Sequence, residues 1–372
     1  MTISSMNENK PITEGAHEVE FSEEQDSWSI LLSCVDAGAA NYFIPLVLEG
    51  PSKFEIFASG IAADKLLESS IQFENVSEKE WPQLRSLARE IIERISPDLL
   101  LCGTSWGMTL DKALTLAATE RGIKTVSIVD HWTHFRVRYG DVTDWPEKDD
   151  LRFLTDYCIV IDPAASHLAK KAGIEPSRLR VGGSPHLEKM ERESLSAILS
   201  TEPIVSAKNG ILFISERIRE DSGALEHSPF DEYTVLEDLV RMAERKSIPL
   251  DIKLHPQEDD SKFAEFRSLN TRVYKQLDFA KMVNRYRFVV GMNSMLLIEL
   301  GMWRNDIISY RPDPDHQSDF MDILPYVTNA RNIPELESLL DKPQGKGFSR
   351  SLRFQNSCDR VRSILKEVRM IN

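Results

Sequence analysis

VVGMNSMLLIELG, residues 289–301, puts a strand, a turn and a helix into one short stretch. The β-branched pair before Gly291 suits a strand, and Gly291 ends it. Asn293 and Ser294 follow at once, and both residue types cap helices through their side-chain oxygens. From Met295 the apolar residues continue as a helix. The junction has two readings. Asn293 and Ser294 are simple caps, or the helix start offers free N–H groups and partial positive charge to a phosphate. Glu299, five residues beyond Ser294, is either a surface charge or a partner for a ribose hydroxyl.

Upstream, DIKLHPQEDD, residues 251–260, has the same design. Asp251–Leu254 reads as a strand that His255 and Pro256 stop, and a polar loop follows. In open α/β sheets ligands bind beyond the carboxyl ends of the strands. His255 is thus either a loop histidine or a ligand-facing one, with Pro256 stiffening its backbone. Lys253 stands nearby, but two positions along a strand.

Working outward, strands and helices alternate. SWSILLSC, FEIFASG, IQFENV, PDLLLCGTS, KTVSIVD, YCIVIDP and LRVGGSP read as strands. SEKEWPQLRSLAREIIERIS is an amphipathic helix with Leu84, Leu87, Ile91, Ile92 and Ile95 on one stripe. MTLDKALTLAATERG and PAASHLAKKAG are helices ended by Gly122 and Gly173. The pattern restarts at NGILFIS and runs through LDIKLHP, TRVYKQ, RFVVGMN and DIISYRP. Alternation of this kind implies βαβ units and parallel sheets. We therefore expect an α/β protein of two tandem Rossmann-like, doubly wound domains facing across a cleft. The expected divisions are an acidic disordered tail (1–26), a first domain (27–186), a linker (187–208), a second domain (209–345) and a basic C-terminal helix (346–372) packed across the junction.

The bulk numbers exclude several classes. A net charge of −14 over 372 residues argues against a nucleic-acid binder. Cys34, Cys102, Cys158 and Cys358 are scattered, three of them in apolar runs, so neither a disulfide framework nor a zinc site is expected. No secretory h-region and no membrane-length apolar run stands out, which gives an expectation of a cytoplasmic protein. The last helix carries Arg350, Arg353, Arg360, Arg362, Lys366 and Arg369. Its charges are solvated, or they contact the inner face of an anionic membrane.

Three strand ends of the first domain compete for a role. CVDAGAANYF offers Asp36, Gly38 and Asn41 in a small-residue loop, where a ligand can approach the backbone. LLCGTSWGMT offers Thr104, Ser105 and Trp106, a cap or an anion site with an indole for stacking. SIVDHWTHFRVRYGD is the richest. Asp130 and then His131 are the candidate bases, Arg136 and Arg138 suit an anionic substrate, and Trp132, Phe135 and Tyr139 suit a ring. Asp130, His131 and His134 lack further ligands at metal-site spacing, so no metal is expected. In the second domain Arg311 is a candidate phosphate contact, whereas His316 reads as exposed.

KLHPQED followed by VVGMNSMLLIELG resembles the C-terminal half of GT-B-fold glycosyltransferases of the type with an HP motif and a later serine-containing helix start. That group includes bacterial sialyltransferases, Kdo transferases and teichoic-acid glycerophosphotransferases, and more distantly UDP-GlcNAc 2-epimerases. VGGSPHLEKM, residues 181–190, resembles the segment that closes the first domain in many of them. The resemblance implies a GT-B-like fold and a metal-independent transferase without a cofactor. It would move a sugar from a CMP- or UDP-linked donor to a glycan or lipid-linked acceptor. His255, Pro256, Lys253, Gly291, Asn293, Ser294, Glu299 and Arg311 would then serve the donor, with His255 donating to the departing phosphate. Asp36, Gly38, Asn41, Thr104, Ser105, Trp106, Arg136 and Arg138 would serve the acceptor. The alternatives are a nucleotide-sugar 2-epimerase or hydrolase on the same scaffold, or a non-catalytic nucleotide-sugar-binding member.

Overall fold

In the computed structural model, two parallel sheets carry the chain. The structure describes residues 28–50, 54–141, 151–200, 209–221, 229–267, 270–313, 320–341 and 353–371. The expected acidic tail, His316, Arg350 and the end of the expected linker lie outside these residues.

The first sheet comprises β1 (Ile30–Cys34), β2 (Phe54–Ala58), β3 (Glu74–Asn75), β4 (Leu99–Cys102), β5 (Lys124–Val129), β6 (Tyr157–Val160) and β7 (Leu179–Val181). Its order is β3-β2-β1-β4-β5-β6-β7. The second comprises β8 (Ile211–Ile214), β9 (Leu250–Lys253), β10 (Thr271–Tyr274), β11 (Phe288–Gly291), β12 (Ile307–Tyr310) and β13 (Thr328–Ala330), in the order β10-β9-β8-β11-β12-β13. Strand order reverses between β1 and β4 and between β8 and β11, so each sheet has one switch point where a crevice opens beyond the strand ends. The central strands are buried throughout, which is why they read as unbroken apolar runs.

The helices of the first half are α1 (Ala37–Leu48), α2 (Gly60–Glu68), α3 (Trp81–Ile95), α4 (Leu110–Glu120), α5 (Phe135–Tyr139) and α6 (Pro163–Lys171). α7 (Pro185–Ser200) leads toward the second sheet. There follow α8 (Ile218–Asp221), α9 (Glu232–Lys246), α10 (Phe279–Arg285), α11 (Met295–Gly301), α12 (Ile333–Asp341) and α13 (Ser357–Met370).

Two local expectations change. VDAGAANYF is not a loop: Asp36 caps α1 by accepting from the Ala39 amide at 2.9 Å, so Gly38 and Asn41 are helical. Alanine-rich sequence favours helix, and that outweighs one glycine. The strand expected at IQFENV shrinks to Glu74–Asn75. Residues 187–200, the described part of the expected linker, belong to α7, in keeping with their polar, helix-like sequence.

One apolar cluster runs through both halves. Val129, Trp132 and Val160 from the first share it with Ile214, Val289, Leu297 and Phe320 from the second. Trp132 and Phe320 stack with centroids 5.9 Å apart and planes at 8°. α13 returns from the second sheet to the first and buries Val361, Leu365 and Val368 against Ile30 and Leu32. Three of its basic residues reach back onto the protein, whereas Lys366 is exposed. Arg362 donates to the Leu46 carbonyl at 2.9 Å, Arg360 to the Gly182 carbonyl at 3.3 Å, and Arg369 lies over Trp28. Glu188 and Glu191 of α7 accept the backbone amides of Arg353, Phe354, Asn356 and Ser357, which fixes the chain entering α13. Among the described residues no helix is long and apolar enough to cross a membrane.

Candidate active site

The carboxyl ends of both sheets open into a single cleft of about 820 Å³. The first half contributes Trp106 after β4, residues 131–138 after β5, and Lys171 from α6. The second half contributes Glu216, Arg217 and Ile218 after β8, His255 after β9, and Asn293–Met295 after β11. The structure thus brings His255, Asn293, Ser294, Trp106, His131, Arg136 and Arg138 together, although they come from separate strand ends.

The His255 loop is strongly organised. Its amide donates to Glu258 Oε2 at 2.6 Å, and Nδ1 accepts from the Gln257 amide at 3.3 Å. An Nδ1 that accepts leaves the ring proton on Nε2. Burial holds the imidazole down to about 4, helped by Arg217 and by Lys253, Lys275 and Lys262. His255 is therefore a neutral N–H donor across the physiological range. Behind it, Lys262 Nζ lies 2.7 Å from carboxylate oxygens of Glu220, Glu232 and Glu258. These carboxylates have the spacing of a cation site, but the lysine ammonium already neutralises them. Glu258 also accepts from Ser215 Oγ at 2.8 Å and so ties the loop after β8 to the loop after β9.

Across the cleft, His131 Nδ1 pairs with Thr133 Oγ1 at 2.9 Å, and its ring meets Phe320 with centroids 4.8 Å apart. Burial drives its pKa well below the usual value, followed by Arg138 and His134, while a hydrogen bond to the Asn293 backbone opposes the shift. Burial likewise holds His134 down to about 4, helped by Arg138. His134 packs edge-on to Trp106. α5 carries Arg136 and Arg138, and Lys112 holds its end by donating to the Gly140 carbonyl at 2.8 Å and the Val137 carbonyl at 3.4 Å.

Asp130 lies beneath the cleft. Its Oδ1 pairs with Arg138 Nη1 at 3.0 Å, and the same nitrogen donates to the Thr104 carbonyl at 2.9 Å. Oδ2 occupies the space a side chain at position 38 would need, so Gly38 is required by close approach. Asp36 sits beside this pair, its carboxyl pushed up to about 6 by burial and then by Asp130. Ser105 is buried too, donating to Asp111 Oδ2 at 2.8 Å, and Ser33 donates to the other oxygen of Asp111. Asn41 lies in α1, outside the cleft lining.

Several donor-side candidates are engaged elsewhere. Arg311 is 0% exposed and held by Asp322 at 2.9 Å and Asn329 at 2.6 Å. Glu299 meets His186 at 2.7 Å. Lys253 turns back onto the Leu254 carbonyl at 2.6 Å. Pro256 borders His255 outside the lining, and Gly291 gives its side-chain space to Leu297 and the Ile214 carbonyl. The amides of Met292 and Asn293 donate to Glu216 Oε1 at 3.0 and 2.8 Å, and Ser294 Oγ accepts from the Leu296 amide. Asn293 Oδ1 is a buried acceptor that no donor of the described residues reaches. Sequence reasoning misses Glu216 and Arg217 because the apolar run of NGILFIS ends just before them. A charged pair directly beyond a strand was the available signal.

No protein-family model matches the sequence, and no curated protein matches it. Solved structures do. The UDP-GlcNAc 2-epimerase of Methanocaldococcus jannaschii superposes with a TM-score of 0.64 at 13% identity, covering 91% of this chain and 99% of that one. The Neisseria meningitidis enzyme, solved with UDP-GlcNAc bound, gives 0.64 at 14% identity over 91% and 100%. Anabaena HepE in complex with UDP and glucose gives 0.58 at 11% identity over 91% and 95%. The chain has the GT-B-like fold of the 2-epimerases. This overturns the expectation of a glycosyltransferase of the HP type: the epimerases recur among the similar structures and match over nearly their whole length.

Proposed function

We propose that the protein is a nucleotide-sugar 2-epimerase, acting on a nucleoside-diphosphate sugar without a separate acceptor. The observation that carries this reading is one cleft, at the switch points of both sheets, in a chain with the epimerase fold over about nine-tenths of its length. At 820 Å³ the cleft suits a ligand of nucleotide-sugar size. Its character suits a diphosphate. Arg136, Arg217 and Lys171 supply positive charge, and His255 supplies a neutral N–H donor. Trp106 and His134 offer ring faces to a base or sugar.

The chemistry follows from the substrate. A sugar C2–H beside no carbonyl is not acidic, so its proton leaves only as the neighbouring C1–O bond breaks. The C2–H electron pair becomes the C1=C2 bond, and the C1–O pair departs with the nucleoside diphosphate. Return of the diphosphate oxygen to C1, with a proton delivered to the other face of C2, gives the epimer. Groups that hold the diphosphate as its charge develops stabilise this path. Arg136, Arg217 and His255 take that role, and closure of the two halves keeps the unsaturated sugar from water.

The test is incubation of the protein with UDP-GlcNAc in D2O, followed by NMR. The expected result is deuterium at C2 and the appearance of the C2 epimer. A sugar that keeps its C2 proton, with no free UDP released, overturns the proposal.

A further inference from the structure

Among the described residues the cleft lining contains three histidines, Arg136, Arg138, Arg217 and Lys171, but one carboxyl group, that of Glu216. This carboxyl opens partly to the cleft, and Oε1 takes the amides of Met292 and Asn293 at 3.0 and 2.8 Å. The Ser294 amide also hydrogen-bonds to the group. An anionic side chain thus occupies the backbone donors at the centre of a cationic cleft.

A second observation makes the arrangement consequential. Behind Glu216 lie further carboxylates: Glu232 of α9, which acts on it electrostatically, and Glu258, bonded to the adjacent Ser215. Lys262 offsets them as an ammonium already shared among Glu220, Glu232 and Glu258. In front are Arg217, His255 and, across the cleft, His131 and Arg138. Arg138 pairs with Asp130, and the histidines are neutral near pH 7. A diphosphate entering beside His255 and Asn293 therefore meets a like charge in a poorly hydrated place, where repulsion is strong.

We propose that Glu216 becomes protonated when a diphosphate ester binds, so that the cleft takes up its ligand together with one proton and the carboxylic acid donates a hydrogen bond to the phosphate. The inference rests on the diphosphate-binding reading above. The free protein is already poised for it, because burial pushes the carboxyl up to about 7 against the pull of the three amides. Glu216 is then a binding residue that sets the pH range of the site, and its proton need not enter the reaction at C2. The sign follows from linkage. An anionic ligand raises the carboxyl further, so the complex binds more protons than the free protein above about pH 7. There the affinity falls as pH rises, by up to roughly tenfold per pH unit.

The test measures UDP-GlcNAc affinity by calorimetry from acid to alkaline pH, for the wild type and Glu216→Gln. The sugar ester is chosen because its diphosphate does not titrate in this range. Glutamine keeps an acceptor for the two amides and carries no charge. The wild type should lose affinity on the alkaline side while Glu216→Gln stays flat and binds more tightly there. Wild-type titrations in buffers of different ionisation enthalpy should report uptake of about half a proton near pH 7, rising toward one on the alkaline side. A wild-type affinity independent of pH, or a variant with the same slope, overturns the inference while leaving the epimerase reading intact. Should Glu216→Gln fail to fold, the buffer comparison on the wild type decides. If UDP-GlcNAc does not bind at any pH, both readings fall, unless inorganic pyrophosphate binds and reproduces the wild-type-to-variant difference. That outcome would retain the proton-linked site and remove only the sugar nucleotide.

Discussion

Nε2 of His186 lies 2.7 Å from Oε1 of Glu299, and the pair joins the start of α7 to α11. Both side chains are largely shielded, at 21% and 17% exposure. Glu299 thus acts at the junction of the two halves. Glu299→Ala should cost about 1.5–3 kcal/mol in chemical denaturation, the range for a hydrogen bond to a charged group. UDP-GlcNAc affinity should stay within about threefold of wild type. A much larger loss of affinity at unchanged stability would return Glu299 to the ligand.

Asp36 and Asp130 are neighbours whose neutralisation should act in opposite directions. Asp36 has its pKa raised to about 6 by burial and by Asp130. A carboxyl raised in the folded state lowers stability as pH climbs from its unfolded value toward 6, and the cost persists above that. Asp36→Asn keeps an N-cap for α1 and removes the charge. It should raise stability near pH 7 by about 1–2 kcal/mol and flatten the loss between roughly pH 4 and 6. Asp130→Asn instead leaves Arg138 without its carboxylate at 9% exposure. It should destabilise by about 2–4 kcal/mol. Denaturant midpoints across pH for both variants check the opposition.

The double layout was legible because alternating apolar strands and amphipathic helices are local signals. Strand ends were legible for the same reason, and so DIKLHP and GMNSM pointed to the cleft before any geometry. Side-chain commitments were not legible. His186 stands 113 positions from Glu299, and Tyr42 donates to the Gly183 carbonyl 141 positions away. No local pattern distinguishes such a carboxylate from a ribose ligand. Arg311 failed likewise, since its partners Asp322 and Asn329 become neighbours only when β12 and β13 pair. The segment after β1 misled for a different reason: small residues suit both a tight loop and a helix, and here Gly38 answers to the close approach of Asp130 to α1.

Phe320 joins the halves through Trp132 and His131. Phe320→Ala should cost about 3–5 kcal/mol, as for a buried aromatic truncation. Because the lost contact lies between the halves, urea unfolding followed by tryptophan fluorescence should broaden or split into two transitions, whereas the wild type unfolds in one. A single transition shifted without broadening would mean that the shared cluster is coupled by other contacts.

His255 should contribute to binding without contributing to its pH dependence. Its pKa near 4 keeps the imidazole neutral from pH 5.5 or so upward, and Nε2–H is then a constant donor. His255→Ala should weaken UDP-GlcNAc by roughly tenfold, about 1.4 kcal/mol. The factor should be the same near pH 6 and near pH 8. Stability should respond instead. A histidine depressed in the folded state gives stability that is present above its unfolded pKa and lost as pH falls toward 4, because the unfolded chain takes the proton first. His255→Ala should therefore reduce the acid sensitivity between about pH 6.5 and 4 by on the order of 1–2 kcal/mol, allowing for its partial exposure. An affinity ratio that changes across pH 6–8 would show that the imidazole titrates in the working range and that its burial in the free protein does not hold it neutral.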